Sequence, residues 1–140
     1  MSGYQAYLSF AKFMKVALSD SGIQVTTEKV EGLTYPYLVI QDGPDMLMNR
    51  HISNRMIQGW VVVKKEDGCP LVDSMGRALG KVIDVSRDPG QIEKYDLPDN
   101  PEIIKGFLFA EITEVSGLMP GTDPNIWRRV ITWELQSNAN

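Results

Sequence analysis

Acid–base or nucleophilic chemistry in this chain would have to pass through very few residues. His51 is the only histidine and Cys69 the only cysteine. A Ser-His-Asp relay would need His51, yet no Gly-x-Ser-x-Gly elbow occurs, and His51 sits in a polar stretch where a surface histidine is the plainer reading. Cys69 precedes Pro70 at a predicted helix start, where a helix dipole lowers a thiol pKa. With the one histidine far off in sequence, a buried inert thiol is the better expectation. Zinc sites built from several Cys and His ligands are excluded within one chain.

The carboxylates are scattered as Asp42 and Asp45, Glu66 and Asp67, and Glu111 and Glu114. The last two lie three apart on a predicted strand, so they are expected on opposite faces. Asp42-Gly43-Pro44-Asp45 lacks the ligand spacing of a calcium loop. No Gly-x-Gly-x-x-Gly or Gly-x-x-x-x-Gly-Lys-[Ser/Thr] phosphate loop is present, and Gly76-Arg77-Ala78-Leu79-Gly80-Lys81 falls inside an amphipathic helix. The chain offers no catalytic residue, no metal ligand set and no cofactor site, and is not expected to be an enzyme.

Contact chemistry is better represented. Met46-Leu47-Met48 follows a turn-like Asp-Gly-Pro, with Arg50, His51 and Arg55 close behind. Leu118-Met119 lies between the last two predicted strands. Methionine suits adaptable contact surfaces. These residues either fold back as a satellite core or pack on a neighbouring subunit. Arg128 and Arg129 are adjacent, so one shares a face with Trp127 and Trp133, where it can cap the core, stack on a Trp or face a partner. Met46, Leu47, Met48, Arg50, Leu118, Met119 and Arg128 are the candidate interface residues.

The elements that must position them follow from hydrophobic period. Ser2 and Gln5 have capping-box spacing, and Tyr7, Phe10, Ala11, Met14, Ala17 and Leu18 recur at helical spacing, which predicts a helix from Gly3 to Asp20 ended by Gly22. Tyr4, Leu8 and Phe13 lie off that stripe and read as a wide core contact or a second apolar face. Ile23–Thr27, Thr34–Ile40 and Arg55–Val63 read as strands, with Pro36 at a strand start or edge and a turn over Gln41–Asp45. Leu71, Met75, Ala78, Leu79 and Val82 form the stripe of a helix from Pro70 to Val85, in which Gly76 and Gly80 would allow close packing on a sheet. Ser86–Lys105 reads as a long irregular connection, functional or mobile. Phe107–Val115 and Ile126–Gln136 are the closing strands. In the last, Trp127, Ile131, Trp133 and Leu135 alternate onto one face and should anchor the core.

The order α-β-β-β-α-β-β with mostly short connections predicts an α+β fold: a mainly antiparallel five-stranded sheet covered by two helices in two layers. The 140 residues suit a single domain over 1–140. The net charge of −4 argues mildly against a general nucleic-acid binder. One cysteine allows no intrachain disulfide, no apolar run approaches a membrane span, and the first residues lack a signal-peptide pattern. A protein of a reducing cytoplasm is expected.

The opening helix, the Tyr35-Pro36-Tyr37-Leu38-Val39-Ile40 strand, the insert leading to Ile57-Gln58-Gly59-Trp60-Val61-Val62-Val63, the second helix, a long loop and the closing strand Trp127–Leu135 together resemble the tail terminator proteins of long-tailed bacteriophages, the group that includes the lambda minor tail protein U. The resemblance covers nearly the whole chain by element order; the proline-rich Ser86–Lys105 stretch does not match it. It implies a structural virion protein of the tail or neck, assembled in the host cytoplasm as a homo-hexameric ring. The ring would sit on the last ring of tube protein, stop tube growth and receive the head–tail connector. DNA would pass through the lumen without sequence-specific binding, and no membrane is involved. A related head–tail joining or tail-completion protein is the alternative. A small ligand-binding or peptide-binding module, or an enzyme with a site assembled between subunits from His51, Asp45 and Arg50, stands further off.

Overall fold

A computed structural model of the chain describes residues 3–28, 32–47, 52–65, 68, 70–87, 109–121 and 123–138. The elements are α1 (Gly3–Ala17), β1 (Gln24–Thr26), β2 (Tyr37–Leu47), β3 (Ile52–Lys64), α2 (Leu71–Arg87), β4 (Phe109–Val115), β5 (Met119–Pro120) and β6 (Ile126–Asn138). The fold is α+β, with an open, mostly antiparallel sheet as expected. The sheet has six strands rather than five, ordered β1-β2-β3-β6-β4, with the two-residue β5 continuing the line of β4 along β6. The inner pairs β2–β3, β3–β6 and β4–β6 are antiparallel, while β1 runs parallel to β2 with Gln24 opposite Tyr37. Short connections did not forecast that parallel edge.

The core forms where the alternation of β6 placed it. Ile131, Trp133 and Leu135 are fully buried, and Trp127 packs against the same cluster. Leu38 and Ile40 of β2, Ile57, Val61 and Val63 of β3, and the apolar stripes of both helices complete it. Phe10 of α1 meets the Trp133 ring edge-on, with centroids 5.1 Å apart. The Tyr7 hydroxyl donates to the Ile40 carbonyl at 2.6 Å, tying α1 to the middle of β2. Phe13 is buried in this core, whereas Leu8 is exposed, so the off-stripe residues of α1 divide between the two readings. Tyr4, Ser2 and Gln5 have no described side chains.

Glycine is required at a position other than those the sequence drew attention to. A Cβ at Gly76 or Gly80 would meet nothing within 4 Å, so these two glycines do not let α2 approach the sheet. The close approach is at Gly59 on β3. A Cβ there would fall 2.6 Å from Cη2 of Trp133 and 3.1 Å from Cδ1 of Leu38. The largest core side chain therefore lies over a strand glycine, filling space that any other residue would claim.

Two local expectations are overturned. Gln41–Asp45 carries turn residues yet lies within β2. Asp42 pairs with Ile57 and Asp45 with Arg55, so Gly43 and Pro44 face Met56 alone in a β-bulge. The bulge takes up a proline that has no N–H for a regular ladder. It also brings Gly43 against the Met56 carbonyl, where a Cβ would overlap. The Arg55 guanidinium clasps Asp42 across the strands, Nε to Oδ1 and Nη2 to Oδ2, the latter at 2.6 Å. A second bulge sits in β4, where Ile112 pairs with Trp133 and Glu114 with Thr132. It puts Glu111 and Glu114 on the same face, not on opposite ones.

α2 starts as its proline suggests, with the Pro70 carbonyl accepting from the N–H groups of Asp73 and Ser74. It runs to Arg87, slightly past the expected end. α1 gives way to a turn at Leu18, earlier than expected, and Gly22 takes φ of +78° in it. The remainder of the Ser86–Lys105 connection, Cys69 and His51 lie outside the described residues. Among the described residues no helix is long and apolar enough to cross a membrane.

Candidate functional site

The sheet is apolar on both sides near one end. On β2 and β3 the runs Tyr37-Leu38-Val39-Ile40 and Trp60-Val61-Val62-Val63 place apolar residues at every position, so alternate residues point away from the helix-lined core. On that second side Tyr37, Val39 and Val62 form a separate buried cluster, with Leu33, Trp60 and Ile126 packed around it. No described helix residue belongs to it.

Register builds this surface in rows. Tyr37, Val62, Arg128 and Met119 lie opposite one another across β2, β3, β6 and β5. Val39, Trp60 and Val130 form the adjacent row. The rows border a cleft of about 340 Å3, walled by Tyr35, Tyr37, Trp60 and Arg128 and rimmed by Pro120 and Gly121. The Tyr35 and Tyr37 rings are tilted against each other with centroids 5.3 Å apart. The Arg128 guanidinium carbon lies 4.4 Å from the centroid of the Trp60 ring. Such a cation–π contact is worth about 0.5–1 kcal/mol near a surface.

The electrostatics follow from this packing. Burial pushes the Tyr37 hydroxyl above its ordinary value of 10.0; neighbouring Tyr35 adds to the rise, and Arg128 opposes it. Two donors at the cleft, Trp60 Nε1 and Arg128 Nε, are buried and have no hydrogen-bond partner among the described residues. An unsatisfied buried donor costs about 1–3 kcal/mol. An apolar concavity edged by a cation, phenols and unsatisfied donors has the composition of a binding cleft. Among the described residues no group of three His, Cys, Asp or Glu side chains could hold a metal ion.

A second cleft of about 440 Å3 opens between α1 and β1, bordered by Leu8, Lys12, Lys15 and Val25. It offers aliphatic carbon and lysines, with no aromatic ring among its described lining.

The structure gathers part of the expected interface and separates the rest. Met119 pairs with Arg128, Leu118 beside it is exposed, and Arg128 stacks on Trp60. The stretch expected as a loop after Gly117 thus contributes β5 before a tight turn closes onto Ile126, with Gly121 N–H donating to the Ile126 carbonyl at 2.8 Å. Arg129, on the core side, donates from Nε to the Ser116 carbonyl at 2.8 Å and so caps the core edge. Met46 and Leu47 lie at the other end of β2, opposite Asn54 and Ser53. Their row on β3 is eight residues from that of Arg128, about 27 Å at ~3.4 Å per residue. Met48 and Arg50 lie outside the described residues, and the side chain of Asp45 is not described, so a site joining His51, Asp45 and Arg50 has no described geometry.

Tyr35, Tyr37 and Trp60 were not singled out from the sequence as contact residues. The signal was the unbroken apolar run on two neighbouring strands. A strand with one wet face alternates, and these do not.

Comparison with protein-family models finds none that matches the chain, and comparison with curated proteins finds no match either.

Proposed function

We propose that this chain is a structural subunit of a bacteriophage virion. Copies join as a homo-hexameric ring on the end of the tail tube, stop its polymerisation and present the surface on which the head connector docks. The observation that carries this reading is that the candidate contact positions fall at opposite ends of one sheet. Arg128 lines the aromatic cleft at one end, with Met119 paired to it and Leu118 next in sequence, and the strand positions of Met46 and Leu47 occupy the other. A subunit that closes a ring head to tail needs two different patches, not one self-complementary patch. The element order and the strands at Tyr35–Ile40 and Ile57–Val63, which resemble those of tail terminators, support the same reading. The acidic balance of the chain suits a lumen through which DNA slides without adhering.

The chemistry of such a protein is contact alone, and the proposal gives it no catalytic step and no cofactor. Labelling purified virions with antibody to this chain tests the assignment. Gold confined to the head-proximal end of each tail is expected. Virions free of label, or label spread along the tube, would refute it. The aromatic cleft favours one other reading, a module that binds an extended peptide. Such a module would carry no label into virions and would bind its peptide as a single copy.

A further inference from the structure

We propose that the aromatic cleft between β2, β3 and β6 receives residues 95–103 of a second copy of this chain. The proposal deepens the ring reading and rests on it for the identity of the partner. The cleft itself sets the chemistry. Its walls are the rings of Tyr35, Tyr37 and Trp60, its rim is Pro120, and its cation is Arg128. Aromatic-lined grooves of this kind hold proline-containing extended chain, because the ring faces pack against pyrrolidine and the ligand loses little entropy on binding. Among the described residues the cleft also leaves two donors unsatisfied, Trp60 Nε1 and Arg128 Nε. Both atoms are buried at the cleft, so a segment rich in acceptors and poor in N–H groups pairs with them by displacing the Arg128–Trp60 stack.

The chain contains one stretch that fits. Tyr95-Asp96-Leu97-Pro98-Asp99-Asn100-Pro101-Glu102-Ile103 has two prolines that lack N–H groups, and three acids with no base. Prolines at 98 and 101 bias a peptide of this sequence toward an extended backbone. Its negative charge matches Arg128.

Reach favours a second copy over the same one. The segment rejoins the sheet at Phe109, opposite Gln136, eight residues along β6 from Arg128. That separation is about 27 Å. From Pro101 to Phe109 the chain spans about the same distance only when fully stretched. Filling its own cleft would hold the connection at its limit, whereas a neighbour placed head to tail carries no such constraint.

The test is a fluorescence-anisotropy titration of the full chain into a labelled synthetic peptide of residues 95–103. Saturable binding is expected at or below about 1 mM. Trp60→Leu or Arg128→Gln should weaken it by about tenfold or more. Alanine at both peptide prolines should do the same. Val72→Asp, on the exposed side of α2, should leave it unchanged. Circular dichroism of each variant separates loss of binding from loss of fold, and a variant that unfolds is replaced by Tyr35→Ala. No binding at about 1 mM overturns the proposal, as does binding that the folded cleft variants leave unchanged. Equal affinity for a basic proline-containing peptide would mark the cleft as a general proline site and overturn the second-copy assignment. These outcomes are independent of where the protein sits in the virion, so the cleft can fail while the ring reading stands.

Discussion

Replacing Gly59 by alanine sets two physical effects against each other, and their signs differ. Alanine in a strand loses less backbone entropy on folding than glycine, a gain of about 0.5–1 kcal/mol where the site is open. Gly59 is not open. The added methyl would sit 2.6 Å from Cη2 of Trp133 and 3.1 Å from Cδ1 of Leu38. Trp133 is fully buried and its ring abuts Phe10, so it has no free direction in which to retreat. Overpacking of this kind costs about 1–3 kcal/mol and exceeds the entropy gain. Gly59→Ala should therefore destabilise the fold by about 1–3 kcal/mol, read as a lower urea midpoint at constant slope. The cause is specific to one ring. In a Trp133→Leu background, itself destabilised by the lost burial, the added penalty of Gly59→Ala should shrink toward zero, a coupling of about 1–3 kcal/mol. A raised midpoint for Gly59→Ala, or the same penalty with and without the indole, would refute the packing of Trp133 over Gly59.

Tyr37 should ionise above its ordinary value, so the stability it contributes is present below about pH 10 and is lost as pH rises through its folded-state pKa. Absorbance titration near 295 nm should show a late tyrosine that disappears in Tyr37→Phe and moves higher still in Arg128→Gln, since Arg128 draws it down. Glu111 lies directly opposite Glu134 across β4 and β6, and Glu134 accepts a hydrogen bond from Asn54 Nδ2. Glu111→Thr should raise stability by about 0.2–1 kcal/mol by removing a facing like charge, and chemical denaturation at low salt would measure it. Replacing Leu47 and Met48 together by aspartate places charge in the expected subunit or tube contact, where burying it unpaired costs several kcal/mol. Complementation with this double variant should give overlong or headless tails while circular dichroism shows an intact fold, and normal virions would remove those two residues from the contact.

The parts of the fold legible in the sequence were those where one period governed a long stretch. The alternation of Ile131, Trp133 and Leu135 gave the correct core face, and the stripe from Leu71 to Val82 marked α2 closely. Local chemistry misled where tertiary pairing absorbed it. Turn residues at Gln41–Asp45 became a bulge because β3 continues alongside and Arg55 clasps Asp42 across it. A strict period of two separated Glu111 from Glu114, and one extra residue in β4 reunited them. Gly76 and Gly80 stand out by their spacing, yet glycine is needed instead at Gly43, against the Met56 carbonyl, and at Gly59, whose need depends on a ring 74 positions later. The cleft was the least legible feature. Tyr37, Trp60 and Arg128 come from three strands, and only register makes them neighbours.

The central claim is that this chain ends a phage tail. On the proposed reading a phage carries this gene, and deleting it there and measuring tail lengths by electron microscopy tests that claim most directly. The account predicts tails of irregular, excessive length that fail to join heads, and a return to one uniform length when the wild-type chain is supplied in trans. Tails of normal length joined to heads would contradict it. Tails of normal length without heads would assign the chain to head joining instead and contradict its role in ending the tube.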